Sequence, residues 1–445
     1  MKKSNHSLTE GNPVKLILLF AIPIFLGNLF QIFYSLIDTK IVGMILGENA
    51  LAAVGSVSIL YNLLVGFFNG LTLGFSVITA RYFGSQDFKA MKKNVAGTIV
   101  LGGGTATFIV MFTMLFLQKI LQFMNIPEAQ FTMAKSYIGI LITGMFITLA
   151  YNTCANLLRA IGDSFTPLLF LMFAAGLNIV LDLLCIQVFH MGVMGAAVAT
   201  VVAQLVSVIL CMIHIVRKVP VLHIKKNDFN LEAAKVIEMF KSGLSMGLMS
   251  CLVSFGTLIL QSSINTLGTD IIVAHTAARK VFEIWGLPVS TFGAAMATFS
   301  GQNYGAKKYE RIRRGMRSVL CIGWCWSALV LLMAYTVAPF LIRFITSSDQ
   351  PDIIYWGTMY LKVDMCFHVV CTAISILRNT MQGFGDYITP IVSSGIELAG
   401  KVVFALVFVK YFGYWAIIWT EPIIWILMVI PLIVMTVRNP VMRKQ

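Results

Sequence analysis

Apolar runs of membrane-spanning length recur along this whole chain, and they constrain its fold more than any other feature. About 20 apolar residues cross a bilayer core as a helix, and short polar breaks separate twelve such runs. They lie near residues 14–37, 51–78, 94–118, 132–152, 165–187, 193–215, 238–264, 271–298, 318–343, 354–377, 388–409 and 413–436. The runs are continuously apolar, whereas the strands of a membrane barrel alternate every second residue. The sequence therefore predicts an all-α polytopic membrane protein with twelve transmembrane helices.

Composition supports this prediction and limits the alternatives. Of the 445 residues, 58% are hydrophobic and 12% are charged, a balance that a soluble domain could not keep in water. A formal net charge of +14 is compatible with two kinds of anionic partner, nucleic acid and membrane lipid. Basic residues are concentrated in the breaks after spans two, six and eight and at both ends of the chain. We therefore interpret the positive charge as an interaction with the lipid bilayer and expect no nucleic-acid partner. By the positive-inside rule, both termini are expected on the cytoplasmic side of a bacterial inner membrane.

The chain is similar to itself at a nearly constant offset. Ala80–Lys93 aligns with Gly301–Arg314 at an offset of 221 residues, and Leu158–Pro167 aligns with Met381–Pro390 at 223. Two unrelated pairs at similar offsets predict two lobes of six helices, related as a parallel internal repeat. The predicted organisation is an amino-terminal lobe at 1–216, a cytoplasmic linker at 217–235 and a carboxy-terminal lobe at 236–445.

Each repeat carries a Gly-Asp pair and a basic stretch at its polar breaks. We interpret the pairs that contain Asp163 and Asp386 as helix stops whose carboxylates cap the next helix. The basic stretches after Gly84 and Gly305 are expected to form amphipathic helices on the membrane surface. The basic stretches need not contact a substrate.

Ionisable side chains inside the apolar runs are costly to bury and are therefore functional candidates. Asp38 ends the first predicted span, and Asn178 and Asp182 are four residues apart on one face of the fifth. Thr200 reaches a similar depth in span six, and Tyr34 lies one turn before Asp38. These side chains can converge in one pocket whose oxygen atoms suit Na⁺, while two adjacent carboxyls can also hold a proton. The alternative is that Asp38 is interfacial and that Asn178 and Asp182 satisfy only each other.

The second half carries further candidates for a substrate cavity, namely Glu283, Glu397 and Lys401. Glu283 falls in the middle of span eight, where a cation-binding cavity and a structural salt bridge are both open interpretations. Glu397 and Lys401 are four residues apart in span eleven and are expected to pair with each other. The role of Glu421 in span twelve stays open.

Pro23 lies in the middle of the first predicted span, where it could bend the helix. Proline removes a backbone hydrogen bond from a transmembrane helix and allows either a static kink or a hinge. No Walker A loop is present, so direct ATP hydrolysis is not the energy source. No nucleophile–base or metal constellation marks an enzyme, and we expect neither catalysis nor a cofactor.

A set of features that is specific only in combination covers essentially the full chain: Pro23 with Tyr34 and Asp38, the segments Ile41–Gly55, Gly176–Leu184 and Gly195–Gln204, and the ARYFG and LRAIGD breaks. In this set the chain resembles the multidrug and toxic compound extrusion (MATE) transporters. The resemblance implies a secondary active multidrug efflux antiporter that exports organic, mainly cationic compounds in exchange for H⁺ or Na⁺ by alternating access. It also implies an ion site at Asp38, Asn178, Asp182 and Thr200, with Tyr34 beside it and a helix bend at Pro23.

The two lobes are not expected to bind ions alike. One branch of the family uses acids of spans seven and ten, but here the body of span seven has none and Asp364 in span ten has no evident partner. Lys401 stands where the repeat would place Asn178. The alternative function in the same superfamily is a flippase for lipid-linked precursors or polysaccharides, which would need a cationic cavity. A two-lobed monomer is sufficient for either function.

Overall fold

The computed structural model describes residues 7–443, in which every regular element is helical. Helices dominate because lipid offers no hydrogen-bond partners, so each spanning segment must satisfy its own backbone. In the first repeat the helices are α1 (Pro13–Leu46), α2 (Glu48–Gly84), α3 (Phe88–Phe123), α4 (Glu128–Thr143), α5 (Met145–Ala160), α6 (Phe165–Leu183) and α7 (Val193–Lys218). In the second they are α8 (Ala233–Ile264), α9 (Thr269–Gly305), α10 (Tyr309–Thr336), α11 (Ala338–Thr346), α12 (Pro351–Cys366), α13 (His368–Phe384), α14 (Ile388–Val403), α15 (Val409–Phe412) and α16 (Tyr414–Arg438).

Twelve segments of the described chain are long enough to cross a membrane. Nine are single apolar segments, and two are helix pairs, α4–α5 and α12–α13, which are bent by 43° and 54° at short breaks. The twelfth is α9, which is 37 residues long but less apolar than the others. The predicted all-α fold is therefore confirmed. The prediction that Asp38 ends the first span was wrong, because α1 continues to Leu46.

Contacts between residues divide the described chain into two compact units. The amino-terminal unit contains Ile22–Gly247, and the carboxy-terminal unit contains Leu8–Ala21 together with the chain from Leu248 onward. The chain therefore passes from one unit to the other inside α1, just before Pro23, and again inside α8. The predicted lobe limits, 1–216 and 236–445, remain a prediction. The termini that were predicted to be cytoplasmic, residues 1–6 and 444–445, lie outside the described residues.

In the amino-terminal unit, α2 packs directly on the beginning of α8 through glycine. A Cβ atom at Gly74 would lie 2.5 Å from the carbonyl oxygen of Ser242, and one at Gly70 would lie 2.5 Å from that of Met246. The Ser242 hydroxyl also donates a hydrogen bond to the Gly74 carbonyl at 2.8 Å. Only glycine permits this backbone approach, because any side chain at either position would overlap the facing helix.

The Gly-Asp pairs stop one helix and begin the next, as predicted. The glycine before Asp163 has φ +95° and the one before Asp386 has φ +104°, a conformation that ends a helix. Asp163 Oδ1 accepts a hydrogen bond from the Thr166 amide at 3.0 Å, and Asp386 Oδ1 accepts one from the Thr389 amide at 3.0 Å. The two repeats therefore share the same capped turn.

The basic stretches do not form separate surface helices, and that prediction was wrong. α3 begins at Phe88 and α10 at Tyr309, so the basic residues form the first turns of membrane-length helices. A 36-residue helix such as α3 is longer than the roughly 20 residues that cross a bilayer core. Its charged first turns can therefore extend beyond the lipid without a break.

Candidate functional site

A cavity of about 370 Å³ opens inside the amino-terminal unit. It contains four of the predicted site residues, which α1, α6 and α7 bring together: Tyr34, Asp38, Asn178 and Thr200. The rest of its wall mixes aromatic, amide and apolar side chains, including Gln31, Tyr61, Asn62, Tyr137, Tyr151, Asn152, Leu171 and Gln204. The helices of one repeat thus place polar groups from distant parts of the sequence around a common space.

The Asn178 side chain links α6 to α7 at this cavity. In the orientation that satisfies both ends of its amide, Nδ2 donates to Asp182 Oδ2 at 2.9 Å and Oδ1 accepts from the Thr200 backbone amide at 3.1 Å. The Tyr34 hydroxyl lies 3.4 Å from Thr200 Oγ1, which adds a contact from α1. Asn178, Asp182 and Thr200 are all buried. The predicted convergence of these side chains is therefore present in the structure.

Two carboxyl groups meet at this point. Asp38 and Asp182 approach each other closely enough to interact directly. Within the described chain, Oδ1 of each carboxyl is buried and has no hydrogen-bond partner. A buried acceptor without a partner is costly, and a proton or a bound cation would satisfy such an oxygen.

The donor set of this pocket consists of oxygen atoms from carboxyl, amide and hydroxyl groups. Such hard ligands fit Na⁺ or a proton. Nowhere in residues 7–443 do three or more His, Cys, Asp or Glu side chains form a group that could hold a metal ion.

Sequence reasoning missed the neutral polar side chains of the cavity wall. Thr148 Oγ1 donates to Gln204 Oε1 at 2.6 Å, and the Tyr61 hydroxyl interacts with both side chains. These residues belong to α5, α7 and α2, so no local spacing connects them. The signal that could have indicated them is the helical spacing of Thr148 and Asn152 on one face of α5.

The charged candidates of the carboxy-terminal unit form a buried network. Lys401 Nζ lies 3.0 Å from Glu397 Oε1 and 3.1 Å from Glu421 Oε1. Arg378 approaches the other oxygen of Glu397 at 3.5 Å, and Arg279 approaches Glu421 at 3.9 Å. The expected pairing of Glu397 with Lys401 is confirmed. The participation of both arginines and of Glu421 was not predicted, because they are brought in from other helices.

The two remaining acids of this unit differ in their surroundings. Glu283 is exposed on α9, so its placement in a substrate cavity stays a prediction. Asp364 is fully buried, and neither of its carboxyl oxygens has a hydrogen-bond partner among the described residues.

Comparisons with known proteins agree with the repeat and the fold. The family profile MatE matches residues 23–184 and again residues 246–407. The chain is 27% identical over 417 residues to the probable multidrug resistance protein YpnP of Bacillus subtilis, which covers 92% of this chain and 91% of the relative. It is 22% identical over 428 residues to the multidrug export protein MepA of Staphylococcus aureus, with 94% and 93% covered.

A solved structure shows the same architecture. A multidrug resistance MATE family transporter of the MOP superfamily, in its outward-facing conformation, superposes with a TM-score of 0.91. The alignment covers 100% of both chains at 22% sequence identity. Likeness at this identity supports the fold of the present chain.

Proposed function

The chain belongs to the MatE family of multidrug efflux transporters, and from this premise we propose that it exports organic, mainly cationic compounds in exchange for H⁺ or Na⁺. The members of this family are transporters, and this protein is a multi-pass membrane protein. The observation that supports ion exchange is the pair of buried, unpartnered carboxyl oxygens of Asp38 and Asp182. An exchangeable cation at this position would change the charge of the cavity.

Alternating access connects the ion to the exported compound. Ion and substrate need not share ligands, provided that they favour different conformations of the protein. Pro23 lies inside α1, only fifteen residues before Asp38. We propose that uptake of the ion at Asp38 and Asp182 alters the bend of α1 at Pro23 and lowers the affinity for substrate.

Gradient-driven efflux from proteoliposomes tests the proposal. A fluorescent organic cation is loaded, a pH or Na⁺ gradient is imposed, and wild type is compared with Asp38→Asn and Asp182→Asn. We expect one gradient to drive efflux in wild type and both substitutions to abolish it. The matched control is Asp270→Asn, an exposed acid at the start of α9, which should transport normally.

Other outcomes would redirect the assignment. Normal transport by both variants would place the coupling site elsewhere, with Glu283 the next residue to substitute. If wild type moves no cation under any gradient, a flippase for lipid-linked precursors or polysaccharides becomes the better proposal. The buried network of the carboxy-terminal unit does not favour that function, since each of its cations lies within 3.9 Å of a carboxylate.

A further inference from the structure

A pocket of about 480 Å³ opens in the carboxy-terminal unit at the place where α9, α13 and α16 end and α10 begins. Aromatic, amide and guanidinium side chains form most of its wall: Tyr304, Tyr309, Arg313, Phe384, Asn439 and Arg443. The centroid of the Tyr304 ring lies 5.9 Å from that of Tyr309 and 6.5 Å from that of Phe384. The wall therefore combines an aromatic cluster with two cations.

The internal repeat gives each of these residues a counterpart in the amino-terminal unit. The offsets of 221 and 223 residues align Tyr304, Tyr309 and Arg313 with Phe83, Phe88 and Lys92, and Phe384 with Ile161. A third similarity continues the repeat beyond its last helix, because Lys218–His223 (KVPVLH) aligns with Arg438–Arg443 (RNPVMR) at an offset of 220. Asn439 and Arg443 therefore correspond to Val219 and His223.

In the amino-terminal unit, apolar side chains fill the corresponding place. Phe83, Ile161, Val219 and Leu222 are buried in one hydrophobic cluster, and Phe88 packs against it. The chain that follows α7 thus supplies residues that close this space. In the carboxy-terminal unit, as described to residue 443, the chain that follows α16 borders a pocket instead.

The residues that differ between the two places add hydrogen-bond donors to the pocket. Tyrosine replaces phenylalanine at 304 and 309, asparagine replaces valine at 439, and arginine replaces lysine at 313 and histidine at 443. A tyrosine hydroxyl can donate one hydrogen bond, and an arginine guanidinium can donate several. The pattern therefore indicates a ligand that is rich in acceptor atoms.

The two arginines of the pocket have backbone partners but no acidic ones. Arg313 Nη1 donates to the carbonyl oxygens of Val441 at 3.1 Å and Arg443 at 2.6 Å, and Arg443 Nε donates to that of Val437 at 3.4 Å. Neither arginine forms an ion pair with any residue between 7 and 443. Their positive charges are therefore available to an anionic ligand.

Asp386 also lines the pocket, and its carboxylate is already engaged. Its Oδ1 accepts from the backbone amides of Ile388 at 3.2 Å and Thr389 at 3.0 Å, and its Oδ2 accepts from the Thr389 hydroxyl at 2.7 Å. The lining thus has two arginines against one carboxylate that is held in a helix cap. This balance favours an anion. Among anions, phosphate groups match the fork of a guanidinium, which can donate two parallel hydrogen bonds to their oxygens.

We propose that this pocket binds the phosphate of an anionic phospholipid headgroup, with Arg313 and Arg443 donating to the phosphate oxygens and Tyr309 to its edge. The pocket lies at the ends of membrane-spanning helices, where headgroups are found, and tyrosine is enriched at this level. Tyr309 is exposed. The positive-inside rule predicts that these helix ends are cytoplasmic, and basic pockets on that side of a membrane bind anionic headgroups. The site is separate from the candidate ion pocket and does not depend on export.

Native mass spectrometry of the purified full-length protein measures the dissociation constant of the first bound lipid. The two probes are phosphatidylglycerol, which is an anion, and phosphatidylcholine, whose phosphate is neutralised by its own cation. We expect wild type to bind phosphatidylglycerol more tightly. Arg313→Gln should weaken that binding about tenfold, since a hydrogen bond to a charged group contributes enough free energy for such a change. Equal affinity of wild type for the two lipids would overturn the proposal.

The first repeat provides a matched control. Lys92→Gln removes one positive charge at the position that corresponds to Arg313, beside the apolar cluster instead of the pocket. This variant should bind phosphatidylglycerol like wild type. If Lys92→Gln and Arg313→Gln weaken binding equally, the lipid responds to the overall charge of the protein, and the pocket is not its site.

A second variant separates recognition from folding, because Arg313 also holds the segment after α16 through its carbonyl oxygens. Tyr309→Phe removes only a hydroxyl and introduces the residue type of the first repeat. We expect it to weaken phosphatidylglycerol binding about threefold at an unchanged Tm, as the loss of a single hydrogen bond would. Unchanged binding by Tyr309→Phe, combined with a lower Tm for Arg313→Gln, would show a structural role and overturn the proposal.

Competition with inorganic phosphate distinguishes a lipid from a soluble phosphate compound. A lipid also gains contacts through its acyl chains, so phosphate at the concentration of the lipid should not displace phosphatidylglycerol from wild type. Displacement at that concentration, lost in Arg313→Gln, would assign the pocket to a soluble phosphate compound and overturn the lipid assignment. None of these measurements requires transport, so this proposal and the proposed antiport can fail separately.

Discussion

Asn178 and Lys401 occupy equivalent positions in the two repeats, 223 residues apart, and each precedes a π-helical turn. In the amino-terminal unit the Asn178 amide bonds Asp182 and the Thr200 backbone. In the carboxy-terminal unit the Lys401 ammonium lies between Glu397 and Glu421. The second repeat therefore carries a lysine cation at the place where the first repeat carries a neutral amide.

Removal of that cation is expected to destabilise the protein. Lys401→Met leaves Glu397 and Glu421 buried with only their longer contacts to arginine, and breaking a buried ion pair in this way typically costs about 3–5 kcal/mol. Thermal unfolding in detergent should show a clear fall in Tm. Lys410→Met, at an exposed position of α15, is the control and should melt like wild type. An unchanged Tm for Lys401→Met would mean that the network contributes little to stability.

Because α2 packs closely on α8, we expect the stability of the protein to depend strongly on the size of residue 74. Gly74→Ala places a Cβ 2.5 Å from the Ser242 carbonyl oxygen, and the helices must separate, at a cost of about 1–3 kcal/mol or more. Gly55→Ala lies in the same helix, but its Cβ would meet no atom within 4 Å. We therefore expect a lower Tm for the first variant only. Equal Tm values would show that the two helices can move apart freely.

The capped turn of the second repeat should depend on an acceptor at residue 386. Asp386 accepts hydrogen bonds from the Thr389 amide at 3.0 Å and from the Thr389 hydroxyl at 2.7 Å. Asp386→Ala is expected to lose about 1 kcal/mol, a usual value for a helix cap. Asp386→Asn retains an acceptor and should lose much less. The comparison is read from denaturation curves, and equal losses would exclude capping as the cause.

Glu232 lies outside the membrane-spanning segments, and its contacts are expected to stabilise the protein in a pH-dependent way. Hydrogen bonds from Lys235 at 3.2 Å and Lys93 at 3.3 Å hold the pKa of this exposed carboxyl below its ordinary value of 4.5. Because the pKa is lowered in the folded protein, the contacts stabilise it above pH 4.5 and are lost as pH falls through the lowered pKa. A carboxyl ¹³C titration should give a midpoint below 4.5 that rises in Lys93→Gln. Ionic strength should weaken the shift, since the pair is exposed, and a midpoint at 4.5 or above would contradict it.

More of the candidate ion pocket than of the carboxy-terminal network could be predicted from the sequence. Asp38, Asn178 and Asp182 could be placed together because an isolated acid in an apolar run is conspicuous and helical spacing sets its face. Glu397 and Lys401 were paired for the same local reason. Arg378, which approaches Glu397, and Arg279, which approaches Glu421, could not be added, since these contacts depend on how separate helices meet.

The sequence by itself determined that the chain is helical, that it crosses a membrane repeatedly and that it consists of two related halves, because hydrophobicity and internal similarity are properties of the chain alone. Tertiary structure decided which atoms remain without a partner. The way in which separate helices meet leaves buried atoms without a hydrogen-bond partner, among them carboxyl oxygens of Asp38 and Asp182 and side-chain nitrogens of Asn152 and Arg159. A hydrogen bond requires about 3 Å between two atoms, and spacing along a sequence does not specify distances between helices.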